Sequence, residues 1–83
     1  MKQITLPCMG LETKDALHSA LAGVLDFPDW YGSNLDALYD CLTDLDDPVH
    51  LHLTGWDTLP YWRDGFAAVF AEAASPCFTV TYA

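Results

Sequence analysis

The residues that could carry chemistry are concentrated between Phe27 and Asp47, a stretch holding six of the chain's twelve acids. Asp36, Asp40 and Asp44 recur every fourth residue, so on a helix turning about 100° per residue they share one side with Tyr39 and Thr43. Carboxylates in such a row can serve acid–base chemistry, hold a metal ion, or pair with the cations of a partner. A solvated helix surface is the bland alternative. Against it, like charges four residues apart repel by about 0.2–0.5 kcal/mol per pair, and Asp44 adds to the negative end of the helix dipole. Stability alone would favour Lys or Arg at positions 40 and 44. Trp30 and Tyr31 stand in a polar, turn-forming loop just before this helix, and aromatic residues beside concentrated charge have the composition of a binding hot spot.

A second candidate set is His50 and His52, which point to one side of a strand and could form half of a metal site. No HExxH or CxxC spacing supplies further ligands, and the preferred reading is a polar strand face touching the acidic helix. With Asp36 and Asp40 they define an alternative, a small metal-binding or hydrolytic enzyme, for which no seryl or cysteinyl nucleophile motif is visible. The acids of 44–47 lack the glycine and the closing glutamate of a calcium loop. His18 has no helical partner three or four residues away and reads as a packed or solvent-edge residue.

The elements that position these residues follow from periodicity. Residues 2–6 form a β-type run ending at Pro7, which cannot donate to a ladder. Thr13 is an N-cap by residue type, its hydroxyl able to accept from the first turn, and Ala16, Leu17, Ala20, Leu21, Val24 and Leu25 then recur at helical spacing, giving a first helix over Lys14–Leu25. Pro28 and Gly32 shape the loop, Gly32 permitting a conformation that other residues resist. Ser33 or Asn34 caps a second helix beginning near Leu35, with Leu35, Leu38, Cys41, Leu42 and Leu45 as its core stripe and Asp46-Asp47-Pro48 as its end. Val49–Leu53 alternates as a strand. Pro60 starts only a short turn of helix, Asp64 caps a longer one over about Gly65–Ala74, and Cys77–Tyr82 closes as a strand. Helical connections between strands imply an α/β fold, a three-stranded parallel sheet with right-handed crossovers and helices packed against it.

Composition bounds the function. Eighty-three residues, 52% hydrophobic, make one domain, 1–83, able to fold without disulfide or metal staples. A net charge of −9, with only Lys2, Lys14 and Arg63 as cations, argues against nucleic acid and against anionic membranes. It suits a basic partner. Cys8, Cys41 and Cys77 are odd in number and widely spaced, which favours reduced thiols in the cytoplasm, and nothing resembles a signal peptide or membrane span.

The run Leu25-Asp26-Phe27-Pro28-Asp29-Trp30-Tyr31-Gly32-Ser33-Asn34-Leu35-Asp36-Ala37-Leu38-Tyr39-Asp40-Cys41-Leu42-Thr43 closely resembles the barstar family of intracellular ribonuclease inhibitors. Tyr31-Gly32, Asn34-Leu35-Asp36-Ala37-Leu38 and Asp40-Cys41-Leu42-Thr43 match its pattern directly, while the first helix, the Asp64-Gly65 helix start and Cys77 match more loosely. The resemblance implies the same fold and a role as a non-enzymatic inhibitor, without cofactor or metal, of a basic extracellular or toxin ribonuclease. On this basis Asp40 would enter the phosphate site, Asp36 and Glu72 would pair with flanking cations, and Trp30, Gly32, Asn34 and Leu35 would line the edge of the plug. Tyr39 would pack along the groove wall, with Thr43 and Asp44 completing the contact surface. Remote acids such as Asp26 are expected only to steer association. Cys41 and Cys77 stand where the family carries a cysteine pair and are read as thiols. Departures include Tyr39 and Leu45 where the family has tryptophan, Trp30 where it has a loop tyrosine, a shortened segment after Trp56, and the loss of a second acid in the last helix. The alternative within the same fold is an acidic adaptor for a basic protein that is not a nuclease.

Overall fold

Alternation in Val49-His50-Leu51-His52-Leu53 sets the architecture: the three aliphatic residues are buried and the two histidines are not. A computed structural model describes all residues, Met1–Ala83. Strand β1 is Lys2–Pro7, β2 is Val49–Thr54 and β3 is Phe78–Tyr82, paired in parallel in the order β1-β2-β3. Their register sets Ile4, Leu51 and Val80 in one row and Leu6, Leu53 and Tyr82 in the next. Pro7 sits at the end of an edge strand, where its missing N–H costs no ladder bond.

Three helices, α1 at Lys14–Leu25, α2 at Leu35–Thr43 and α3 at Arg63–Ala73, supply the rest of the core. Leu17 and Leu21 of α1, Leu38 and Leu42 of α2, and Phe66 and Phe70 of α3 join Leu51, Leu53 and Phe78 of the sheet in one buried cluster. Burying each such side chain contributes about 1.5–3 kcal/mol. The opposite face of the sheet carries Gln3, Thr5, His50, His52, Thr79 and Thr81. There His50 Nδ1 is bonded to Thr79 Oγ1 at 2.7 Å and His52 Nδ1 to Thr81 Oγ1 at 2.7 Å. The expectation that this histidine face touches the acidic helix is therefore wrong. The helices cover the face of Leu51, and a two-residue period turns the histidines away from it.

Helix ends show where side chains and where backbone supply the caps. Thr13 Oγ1 accepts from Ala16 N–H at 3.0 Å, so α1 starts and stops where its pattern predicts. Helix α2 ends at Thr43, short of Asp46: the Thr43 hydroxyl bonds to the Tyr39 and Asp40 carbonyls, and Asp44 N–H turns back to Cys41 O at 3.3 Å. Leu45 lies beyond the helix and is half-buried. Leu35, assigned to the core stripe, is 36% exposed, because the first residue of the helix overhangs the start of α3 instead of the sheet. Helix α3 begins at Arg63 and is not capped by Asp64. The carbonyls of Pro60, Tyr61 and Trp62 take the amides of Arg63, Asp64 and Gly65 at 3.0, 3.2 and 3.2 Å, which leaves Asp64 inside the first turn. The short helical turn expected near Pro60 lies earlier, as one 3-10 turn at Trp56–Thr58. It follows Gly55 at φ 66, where an added Cβ would come 3.1 Å from Met9 N, so backbone conformation and space both select glycine. Strand β3 starts at Phe78, and Cys77 is exposed just before it, while Cys8 and Cys41 are buried; all three are free thiols. No helix is long and apolar enough to cross a membrane.

Candidate functional site

Leu38, Cys41 and Leu42 lock α2 to the core, which leaves Asp36, Tyr39, Asp40 and Thr43 exposed on its other side and Asp44 exposed at its end. Asn34 holds this helix in place: its Oδ1 accepts from Ala37 N–H at 2.8 Å and its Nδ2 donates to Gly32 O at 3.4 Å. With both ends of that amide engaged, Asn34 positions the surface. Asp40 and Asp44 also act inward. They raise the pKa of the Cys41 thiol after burial, the larger cause, has already done so, and the sulfur stays protonated.

The loop before α2 separates its two aromatic neighbours. Tyr31 N–H donates to Pro28 O at 3.0 Å, and the Tyr31 ring turns inward to meet Phe27 at 4.9 Å. Its hydroxyl lies 2.5 Å from Nδ1 of His18, a residue only 4% exposed whose ring sits tilted against Phe66, centroids 4.7 Å apart. Burial pushes Tyr31 up to about 12, with Cys41 adding to the rise. Burial also lowers the pKa of His18, against an opposing pull from Asp15. Both shifts favour the neutral forms, so an uncharged phenol and an uncharged imidazole share this hydrogen bond. Trp30 points the other way and is 62% exposed. His18 was visible in sequence as a neighbour of Leu17 and Leu21, but its anchoring of Tyr31 was not, since nothing local links residues 18 and 31.

Two expectations about this region need correction. Gly32 does not supply the unusual backbone conformation; Ser33 does, at φ 51, and what Gly32 provides is room, since an added Cβ would lie 3.1 Å from Asn34 Nδ2. Asp26 is not remote. It caps the C-terminal end of α1 at φ 55 and lines the same groove as Trp30 and Asp44. Glu72 is exposed on α3, seven residues past Gly65, so helical geometry returns it to within about 20° of the line along which Gly65 meets Leu35. Trp30, Gly32, Asn34, Leu35, Asp36, Tyr39, Asp40, Thr43 and Asp44 thus belong to one helix and its entry loop, and Glu72 to the helix packed beside it. Asp36 and Asp40 do not meet His50 and His52, which lie across the sheet, and no cluster of three or more His, Cys, Asp or Glu side chains is arranged to hold a metal ion. The hydrolytic alternative loses its site.

Most of these carboxylates have no cation within the protein, because twelve acids face three basic residues. The arrangement offers a row of negative charge one helical turn apart and an exposed indole at its side. A family model described as Barstar (barnase inhibitor) matches residues 1–77. A curated Bacillus subtilis (strain 168) protein, "Putative ribonuclease inhibitor YrdF", is 45% identical over 60 residues, covering 72% of this chain and 54% of that protein. The chain thus spans about half the length of that relative. A match running through all three helices as far as the threshold of β3, together with the parallel sheet they cover, places this chain in the Barstar (barnase inhibitor) family.

Proposed function

We propose that this protein inhibits a basic ribonuclease by laying α2 and the Trp30 loop into its active-site groove. Such an enzyme holds the RNA phosphate with Arg and Lys, and carboxylates spaced along a rigid helix can occupy the same positions. Asp40 takes the phosphate site, Asp36 and Glu72 pair with flanking cations, Tyr39 packs along the wall, and Trp30 with Gly32 and Leu35 closes the edge. Thr43 and Asp44 extend the contact, and Asn34 keeps the helix start in register. No residue performs chemistry. The protein works as a cytoplasmic monomer with reduced cysteines, its like-charged surface discouraging self-association, and its target is a secreted or toxin enzyme. The observation that carries this reading is Asp40 itself, exposed mid-helix between two like charges where it weakens the helix it sits on.

The test is inhibition of barnase and other basic ribonucleases by wild type and by Asp40→Ala. Wild type should inhibit at least one of them tightly. Truncating Asp40 strands the enzyme's cations, which costs on the order of 2–5 kcal/mol, a range drawn in part from this family's own complexes, and the loss should appear as faster dissociation. Melting temperature should stay unchanged or rise slightly. Equal inhibition by the two proteins would overturn the phosphate-mimic mechanism.

A further inference from the structure

A groove of about 430 Å³ opens where the acidic side of α2 ends, bounded by the C-terminal ends of α1 and α2 and the first residues of β1 and β2. Its apolar lining includes Ile4, Val24, Leu45 and the exposed Trp30. Its rim carries Asp26, Asp44, Asp46 and Asp47 against a single cation, Lys2. Both helices that end here lack a basic residue in the last turn, so their negative dipole ends add to the carboxylates instead of being offset.

The lining decides what can enter. A hydrated inorganic cation would satisfy the rim but not the apolar walls, and the acids do not form a metal-holding cluster. An apolar group alone would leave the four carboxylates of the rim without a partner. A long aliphatic stem ending in a cation satisfies both, and beside an indole face the planar guanidinium gains more than an ammonium. We propose that this groove receives an arginine side chain of the basic partner, as a second anchor beyond the row Asp36, Asp40 and Asp44. The source of that arginine rests on the inhibitor reading above; the chemistry of the groove does not.

The experiment has two arms. In the first, the isotopically labelled protein alone is titrated by NMR with N-acetyl-arginine methylamide and, in parallel, with its uncharged counterpart N-acetyl-citrulline methylamide. Saturable shifts of the Trp30 indole and the Leu45 and Asp46 amides with the arginine probe only are expected. They should weaken at least about threefold in Asp46→Asn/Asp47→Asn, whose two side chains are exposed and outside any helix or strand, with the fold monitored by an unchanged spectrum elsewhere. Equal response to both probes, or none to either, overturns the proposal whatever the protein inhibits. In the second arm the same double variant is measured against an inhibited basic ribonuclease, where faster dissociation is expected. Arginine binding lost with ribonuclease dissociation unchanged would overturn the partner's use of the groove. Selective arginine binding in a protein that inhibits no ribonuclease would uphold the groove and refute the inhibitor reading instead.

Discussion

At the scale of single residues, the pair His18 and Tyr31 is the least exposed polar contact beneath the candidate surface, and it ties α1 to the loop that carries Trp30. Its pH dependence follows from the direction in which burial moves His18. A histidine whose pKa is lower in the folded than in the unfolded protein binds fewer protons when folded, so stability rises with pH across the window and falls as the medium is acidified. The loss begins near the ordinary value of 6.5 and continues down to the folded-state value. Melting temperature measured at pH 7.5 and 5.5 should therefore drop more for wild type than for His18→Gln, which cannot titrate yet can still hydrogen-bond to the Tyr31 hydroxyl. Identical drops would mean that His18 is already charged in the folded state. Asp40 shows the converse economy: its charge is solvated, and its cost to the helix is the small repulsion of neighbours a turn away.

At the scale of elements, the question is whether the Trp30 loop is an anchor or a staple. Phe27 and Tyr31 do the stapling, since their rings pack against each other and onto the core cluster, whereas Trp30 stands 62% exposed between them. Trp30→Ala should accordingly leave thermal melting within a degree or so, while weakening partner binding by about 2 kcal/mol or more as expected of a central aromatic contact. A fall of several degrees with affinity intact would make Trp30 structural. The division of labour between adjacent aromatics was not legible in the sequence, because two such residues in one turn-forming loop carry no period that tells them apart. Side-chain caps were largely legible: Thr13 announces α1 by residue type, and Ser33-Asn34 announces α2 without telling which of the two caps it, a role the structure gives to Asn34. The start of α3 was not, since backbone carbonyls of Pro60, Tyr61 and Trp62 perform the capping and any residue could supply them. Leu35 was misplaced for a related reason. Helical periodicity gives an angle around the axis, and the core lies over only part of its length.

At the scale of the whole molecule, strand alternation fixed that His50 and His52 share a face, and the burial of Val49, Leu51 and Leu53 decides that this is the face without helices. The fold was readable because element order and connection length leave few topologies for three parallel strands. The field of the protein adds what no single contact carries. A net charge of −9 draws a basic partner from a distance, but at physiological ionic strength the Debye length is about 8 Å, so a remote carboxylate steers encounter and then has nothing to hold. Glu12, exposed in the connection between β1 and α1 and outside α2 and its entry loop, is the charge on which to test this. Association of wild type with an inhibited basic ribonuclease should slow steeply as salt rises, and Glu12→Gln should lower that rate slightly at low salt while leaving dissociation unchanged. Asp40→Ala should do the reverse, with dissociation accelerated at every salt concentration and association little affected. If Glu12→Gln hastens dissociation as Asp40→Ala does, Glu12 lies inside the contact, and the surface that meets the partner extends beyond α2 and its loop.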